Sequence, residues 1–305
     1  MRAYALSRLA QTVLVVFLSL TAVFVLVRLS GDPVLLFMPM DIQTKDVNEF
    51  RERLGFNDPV PVQYVRFVAG AVRGDFGESL RYRRDALGLV LERLPATFLL
   101  AGTSLLLTMC VAVPLGVLSA VHRNTPLDHA GTVVTVLGQA TPGFWLGLIL
   151  IYVFSVKLRW LPTGGTGGLA HLVMPSVVLA AFFSARIARL TRSAVLEVLN
   201  EEYILTARAK GLREARVIGK HTLRNSAIPI VTLAGLEAGQ VLGGAVITET
   251  IFAWPGLGRL TVQALLNRDF PIVLAAVFVI SVIYTLSNLA VDLLYGWLDP
   301  RVRLR

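Results

Sequence analysis

The residues of this chain that could do chemistry are four histidines, one cysteine and a few carboxylates set in apolar sequence. His122, His129, His171 and His221 are scattered over loops and the ends of apolar runs. None has the H-E-x-x-H spacing that puts two imidazoles on one helix face for zinc. Cys110 stands alone inside an apolar run, so neither an intrachain disulfide nor a cysteine metal site is possible. It reads as a small buried apolar residue. Gly165-Thr166-Gly167-Gly168-Leu169-Ala170 matches G-x-G-x-x-A, yet it follows an apolar helix where a dinucleotide fingerprint needs a strand. Gly219-Lys220-His221 lacks both the first glycine of a phosphate loop, replaced by Glu214, and its Ser/Thr. No G-x-S-x-G occurs. With no nucleophile–base pair and no metal-ligand cluster, a non-catalytic chain without a bound metal is expected.

The remaining polar residues fall inside apolar segments. Glu237, Gln240, Gly244 and Thr248 share one helical face with Leu233. A carboxylate near mid-membrane costs at least about 2.5 kcal/mol, so this face should meet protein or water, lining a path, bonding a neighbouring helix, or both. Nearly opposite lie Gly235, Gly239 and Gly243, two overlapping G-x-x-x-G units that suit close helix packing or a hinge. Ser281, Tyr284, Thr285, Asn288 and Asp292 form a polar stripe on the last apolar segment; Asn288 is a further path candidate. Gly143 and Gly147 follow Gln139-Ala140-Thr141-Pro142, which predicts a kink with close packing.

These residues need elements to hold them. Of 305 residues 55% are hydrophobic and 16% charged, with a mean hydropathy of +0.67, which indicates a polytopic membrane protein. Six segments are long enough to cross as helices: 9–29, 97–121, 131–157, 171–192, 228–252 and 271–297. Leu9–Val27 is too long for a cleavable signal and no small-x-small site follows, so it reads as an uncleaved first span. The net charge of +9 is unevenly placed. Arg186–Arg224 carries nine Lys/Arg against four Glu, whereas Asp32–Arg93 has nine basic and ten acidic residues. That asymmetry puts the basic loop and both termini in the cytoplasm and excludes nucleic acid as the partner. Asp32–Arg93 is then outside, as an ordered cap of short helices. Within the basic loop, Tyr203–Lys210 predicts a short helix broken by Gly211, with a second helix running on to Asn225. Such a structured loop reads as a docking element for a cytoplasmic partner. The expected organisation is residues 1–30 as tail and first span, 31–95 outside, 96–298 as a five-helix core with the loop at 193–227, and 299–305 as a cytoplasmic tail.

The loop YILTARAKGLREARVIGKHTLRNSAIP resembles the EAA-type loop of ABC-importer permeases in its peptide-transporter form. Further segments are similar to the B-type subunit of the dipeptide/oligopeptide permease family: YALSRLAQTVLVVF…VRLSGDP, RLGFNDPVPVQY…RGDFGESLRY…LERLPATFLL, LPTGGTGG, VITETIFAWPGLGRL…NRDFP and VDLLYGWLDPRVR. The resemblance covers essentially the whole chain. It departs from the general Glu-Ala-Ala-x-x-x-Gly pattern, of which only Ala207 and Gly211 match. It implies an all-α type I ABC-importer permease fold with six transmembrane helices, in a bacterial or archaeal inner membrane. It also implies a second homologous permease, two cytoplasmic ATPase subunits that hold ATP and magnesium, and an extracytoplasmic binding protein. No cofactor of this chain's own is implied. The coupling residues carried over are Glu201, Glu202, Tyr203, Thr206, Ala207, Arg208, Ala209, Lys210, Gly211 and Leu212. Peptides are the expected cargo; relatives with nickel chelates, glutathione, haem or sugars leave that open. An autonomous secondary transporter or an intramembrane enzyme is a distant alternative, and would show ion sites with inverted repeats or a catalytic constellation.

Overall fold

The computed structural model describes residues 2–29, 57–79 and 81–298; the stretch Ser30–Phe56 within the expected outer segment and the tail 299–305 lie outside them. Its helices are α1 (Arg2–Leu29), α2 (Val60–Arg73), α3 (Ala86–Val121), α4 (Pro126–Ala140), α5 (Gly143–Leu150), α6 (Leu169–Leu199), α7 (Glu202–Ala209), α8 (Glu214–Arg216), α9 (Leu223–Ile251), α10 (Leu257–Leu266) and α11 (Phe270–Leu298). Pairing between strands among the described residues is confined to an isolated bridge, Glu78 with Asp85.

Three helices are long and apolar enough to cross a membrane singly: Ala86–Val121, Leu169–Leu199 and Phe270–Val291. Two bent pairs, Pro126–Ala140 with Gly143–Lys157 and Glu214–Val241 with Ala245–Ile251, bring the number to five if each is one span. The first segment carries the shorter apolar stretch Ala10–Leu26 among its described residues. Apolar side chains stand bare on α1 (Val13, Leu14, Leu18), α3 (Leu106), α4 (Val133, Val134, Leu137) and α9 (Ile247). Water would not tolerate so much; hydrocarbon or another subunit covers such surfaces.

Two expectations change. The segment 131–157 is not one kinked helix, because α4 and α5 meet at 100°. Pro142 has no N–H to donate and forces Thr141 into an extended conformation (φ −75°, ψ 123°), so the ladder stops and restarts. The α5 helix then widens into a π-helical turn, Ile151–Lys157. The second change concerns the basic loop. The helix α6 runs unbroken to Leu199, so the loop expected at 193–227 starts seven residues later, and Arg186, Arg189 and Arg192 all belong to the helix.

The chain divides into two compact units. One holds 2–96 and 256–283. Its core gathers Leu20, Ala71, Phe76, Ala86, Val90, Leu257, Leu260 and Ile272. Here α2 is tied to α1 by Tyr64 Oη and Thr21 Oγ1 at 2.6 Å and by Phe24 against Tyr64 and Phe67. Ser79 Oγ donates to the buried carboxylate of Asp269 at 2.5 Å, fixing the turn ahead of α3 to the start of α11. The other unit holds 97–255 and 284–298. In it α6 packs chiefly against α9 and α4, around Ala112, Ile187, Ala188, Ile230 and Ala234.

Candidate functional site

The short helix α7 sits where the sequence places one. Ile204 and Ala207, three residues apart, fall on one face and are buried with Val217 against Val198, Leu199 and Leu212. Tyr203 Oη accepts from Asn225 Nδ2 at 2.8 Å, a second fastening to the start of α9. Everything else on the helix points away. Glu202, Leu205, Thr206, Arg208 and Ala209 are exposed, as are Glu201 before it and Lys210 after it. The helix ends in a Schellman-type turn, in which Leu212 N donates to Ala207 O (3.3 Å) and Gly211 takes φ +76°. No atom stands within 4 Å of the place a Gly211 Cβ would take, so the dihedral alone selects glycine there. Arg208 Nε meets Glu214 Oε1 at 2.7 Å across that turn. Beyond it α8 continues through a π-helical turn, Val217–Thr222, into α9. The result is a short helix bolted on one side, with an amphiphilic face free for another molecule.

The two faces of α9 resolve differently from each other. On the glycine side, a Cβ at Gly235 would stand 2.6 Å from Val291 Cγ2, whereas at Gly239 it would meet Ser287, Asn288 and Tyr284 at 3.5–3.7 Å. The seam therefore packs on α11, tightly at Gly235 and at ordinary contact at Gly239, and Asn288 stands beside this seam. Gly243 and Gly244 lie in 242–244, outside the residues whose surroundings are described. On the polar side, the face splits. Glu237 is 1% exposed and takes Arg186 Nη1 on Oε1 at 3.0 Å; Thr248 is also buried; Gln240 alone stays exposed, accepting from the same arginine at 3.2 Å. A buried carboxylate needs a cation, and Arg186 of α6 supplies it, so Glu237 bonds a neighbouring helix. Gly147 is buried against Ile251 and Phe252, where a Cβ would approach within 3.3 Å, and Gly143 faces Val178 at 3.6 Å.

Several residues escaped sequence reasoning. Arg192 grips buried Asp128 with two bonds of 2.8 and 2.9 Å, joining α6 to α4. Arg189 donates to Gln139 Oε1 at 2.9 Å. Glu249, fully buried, accepts from Thr97 Oγ1 at 2.8 Å. The signal for the arginines was present, since Arg186 and Arg189 lie within the expected span 171–192 and a charge there demands a partner. Glu249 carried the same signal, since it lies within the expected span 228–252. Among the described residues no three His, Cys, Asp or Glu gather as metal ligands.

A family model described as "Binding-protein-dependent transport system inner membrane component" matches residues 112–304, and its counterpart "membrane comp, N-term" matches 1–101. The chain belongs to this family of transport-system inner membrane components. The oligopeptide transport system permease protein AppB of Bacillus subtilis is 40% identical over 314 residues, covering 99% of both chains. The glutathione transport system permease protein GsiC of Escherichia coli K12 is 38% identical over 303 residues, again with 99% of both covered. Among solved structures, an inward-facing MetNI methionine ABC transporter chain superposes with a TM-score of 0.58 at 20% identity, over 69% of this chain and 96% of that one. An amino acid ABC transporter gives 0.52 at 18%, over 70% and 94%. This inner membrane component is thus a permease subunit of an ABC importer, of the dipeptide/oligopeptide permease kind, with the all-α fold of type I importer permeases.

Proposed function

We propose that this permease forms, with a second homologous permease, the path for peptides handed over by an extracytoplasmic binding protein. Two cytoplasmic ATPase subunits, which hold the ATP and magnesium, drive it, and the permease itself catalyses nothing. The outward face of α7 carries this reading: a helix seated by Ile204 and Ala207 and open at Glu202, Tyr203, Leu205, Thr206 and Arg208 fits a groove of an ATPase subunit. Motion of that subunit reaches α6 and α9 directly, because α7 lies between them in the chain and is fastened to both. Residues 1–30 carry the first span, 31–95 lie outside, 96–298 form the core and 299–305 end in the cytoplasm of a bacterial or archaeal cell. Gln240, Gly244 and Asn288 are proposed to lie along the path; Glu237 acts through Arg186.

Peptide cargo is supported by the full-length kinship with AppB. The nearly equal identity to GsiC favours glutathione, itself a tripeptide, as the second reading. The test is uptake of a radiolabelled tripeptide, with and without excess glutathione, by cells with and without the gene. Loss of ATP-dependent tripeptide uptake on deletion is expected. Unchanged peptide uptake together with lost glutathione uptake would replace the first reading by the second. Uptake by the purified chain alone, without ATP, would sink both.

A further inference from the structure

Arg186, Arg189 and Arg192 follow one another at three-residue intervals on α6 and so share one side of it. Two are neutralised: Arg192 by Asp128, Arg186 by Glu237. Arg189 is different. It donates to Gln139 Oε1 at 2.9 Å and to Ala185 O at 3.2 Å, both uncharged, and no carboxylate pairs with it among the described residues. Three guanidiniums against two carboxylates leave one positive charge within the membrane-spanning part of the fold. The group is also open. Arg189 and Gln240 are exposed, Gln139 is half-buried, and the Arg186 side chain is 39% exposed. A charge facing lipid is too costly, so this side of α4, α6 and α9 faces water or a second permease.

The amides sharpen the chemistry. Gln139 and Gln240 each turn Oε1 toward an arginine, which leaves their Nε2 hydrogens to donate outward. The patch therefore offers donors and positive charge toward its open side. Guanidinium and amide donors around a surplus cation suit a carboxylate above other ligands.

We infer that Arg189, with Arg186, Gln139 and Gln240, forms a cationic station on the path that holds a carboxylate of the passing cargo. The inference rests on the transport reading above. It assigns the cargo a free carboxyl group and gives Arg189 the deciding charge.

The test uses Gln240→Cys in a Cys110→Ala background, in membranes from cells expressing the whole transporter. Modification rates are measured with an anionic ethylsulfonate and a cationic trimethylammonium methanethiosulfonate, each normalised to a free thiol. One uncompensated positive charge close by in a watery site favours the anionic reagent severalfold. Arg189→Gln should bring the ratio near one, and Arg189→Lys should keep it. Gln139→Glu leaves Arg189 in place but supplies a carboxylate, and should also abolish the preference. In uptake, Arg189→Gln should slow a tripeptide with a free C-terminal carboxylate severalfold more than the same peptide as its amide. A ratio near one with Arg189 present, or a Lys variant that behaves like Gln, would reduce Arg189 to a tie between α6 and α4. Equal slowing of acid and amide, or no reaction with either reagent, would equally overturn the station. None of these outcomes touches the ATP-dependent uptake on which the transport reading stands.

Discussion

Gly211 is held at φ +76° with open space where a side chain would begin, so its constraint is purely conformational. The left-handed region costs an L-residue roughly 1–2 kcal/mol, less for Asn and most for a β-branched residue. Gly211→Val should therefore unseat the end of α7 and uncouple ATP hydrolysis from uptake while the permease still folds, whereas Gly211→Asn should retain most of both. ATPase stimulation by loaded binding protein, measured beside co-purification of the subunits, separates these outcomes; equal and near-normal coupling in both variants would remove α7 from the coupling path. Charge pairs follow a different rule. Asp128 is buried and held twice by Arg192, so Asp128→Ala leaves a part-buried guanidinium unpaired and should cost about 3 kcal/mol. Glu214→Ala breaks only the exposed pair with Arg208 and should cost less than about 1 kcal/mol. Thermal unfolding of the two variants in detergent checks the contrast, and comparable losses would contradict it. Gly211 was legible in the sequence because a glycine between two charged helical runs has few other uses. The Asp128–Arg192 pair was not, because a cation at the end of an apolar run reads as loop charge until the helix is seen to continue.

At the scale of elements, periodicity carried far where it stayed local. Gly235 and Gly239, four residues apart, marked the α9 side that meets α11. What periodicity could not show was how hard each contact presses, or where a helix changes its winding. Gly235 is closed by Val291 Cγ2 at 2.6 Å and Gly239 has ordinary room, although the sequence presents the two as equals. The π-helical turns at Ile151–Lys157 and Val217–Thr222 depend on tertiary packing and leave no period in the sequence. Gly116 shows the same blindness: it belongs to no glycine repeat, yet a Cβ there would meet Ala188 O and Thr191 Cβ at 2.6 Å. From these distances a ranked outcome follows. Gly116→Ala and Gly235→Ala should both lower the yield of folded permease, Gly116→Ala more, since a backbone oxygen cannot swing aside as a valine rotamer can. Gly239→Ala should be near wild type. The folded fraction after detergent extraction reads the order directly, and a Gly239→Ala variant worse than Gly116→Ala would show that the α9–α11 seam is under more strain than its contacts indicate.

For the whole molecule, the membrane orientation links every local argument to transport, and the charge pattern predicts it independently of any contact. The basic stretch around α7 argues for the cytoplasm, and the near-neutral segment containing α2 argues for the outside. The positions best suited to test this are exposed and are not among the proposed path residues. Val72 on α2 and Asn267 after α10 should both be outside, while Asn200, between α6 and α7, should be inside. Single cysteines at these places can be treated in intact cells with an impermeant thiol reagent, in a Cys110→Ala background because Cys110, expected to be buried, is exposed on α3. Val72→Cys and Asn267→Cys should react at once. Asn200→Cys should react only after the cells are opened. The two outer positions also report on the odd number of crossings between α2 and α7 and between α7 and α10, so each bent pair, Pro126–Ala140 with Gly143–Lys157 and Glu214–Val241 with Ala245–Ile251, enters the count as one span. If the α4–α5 corner were a re-entrant loop that returns to the side it left, Asn200 and Val72 would react together from outside. That single observation would move α7 away from any ATPase and leave the coupling argument without its partner.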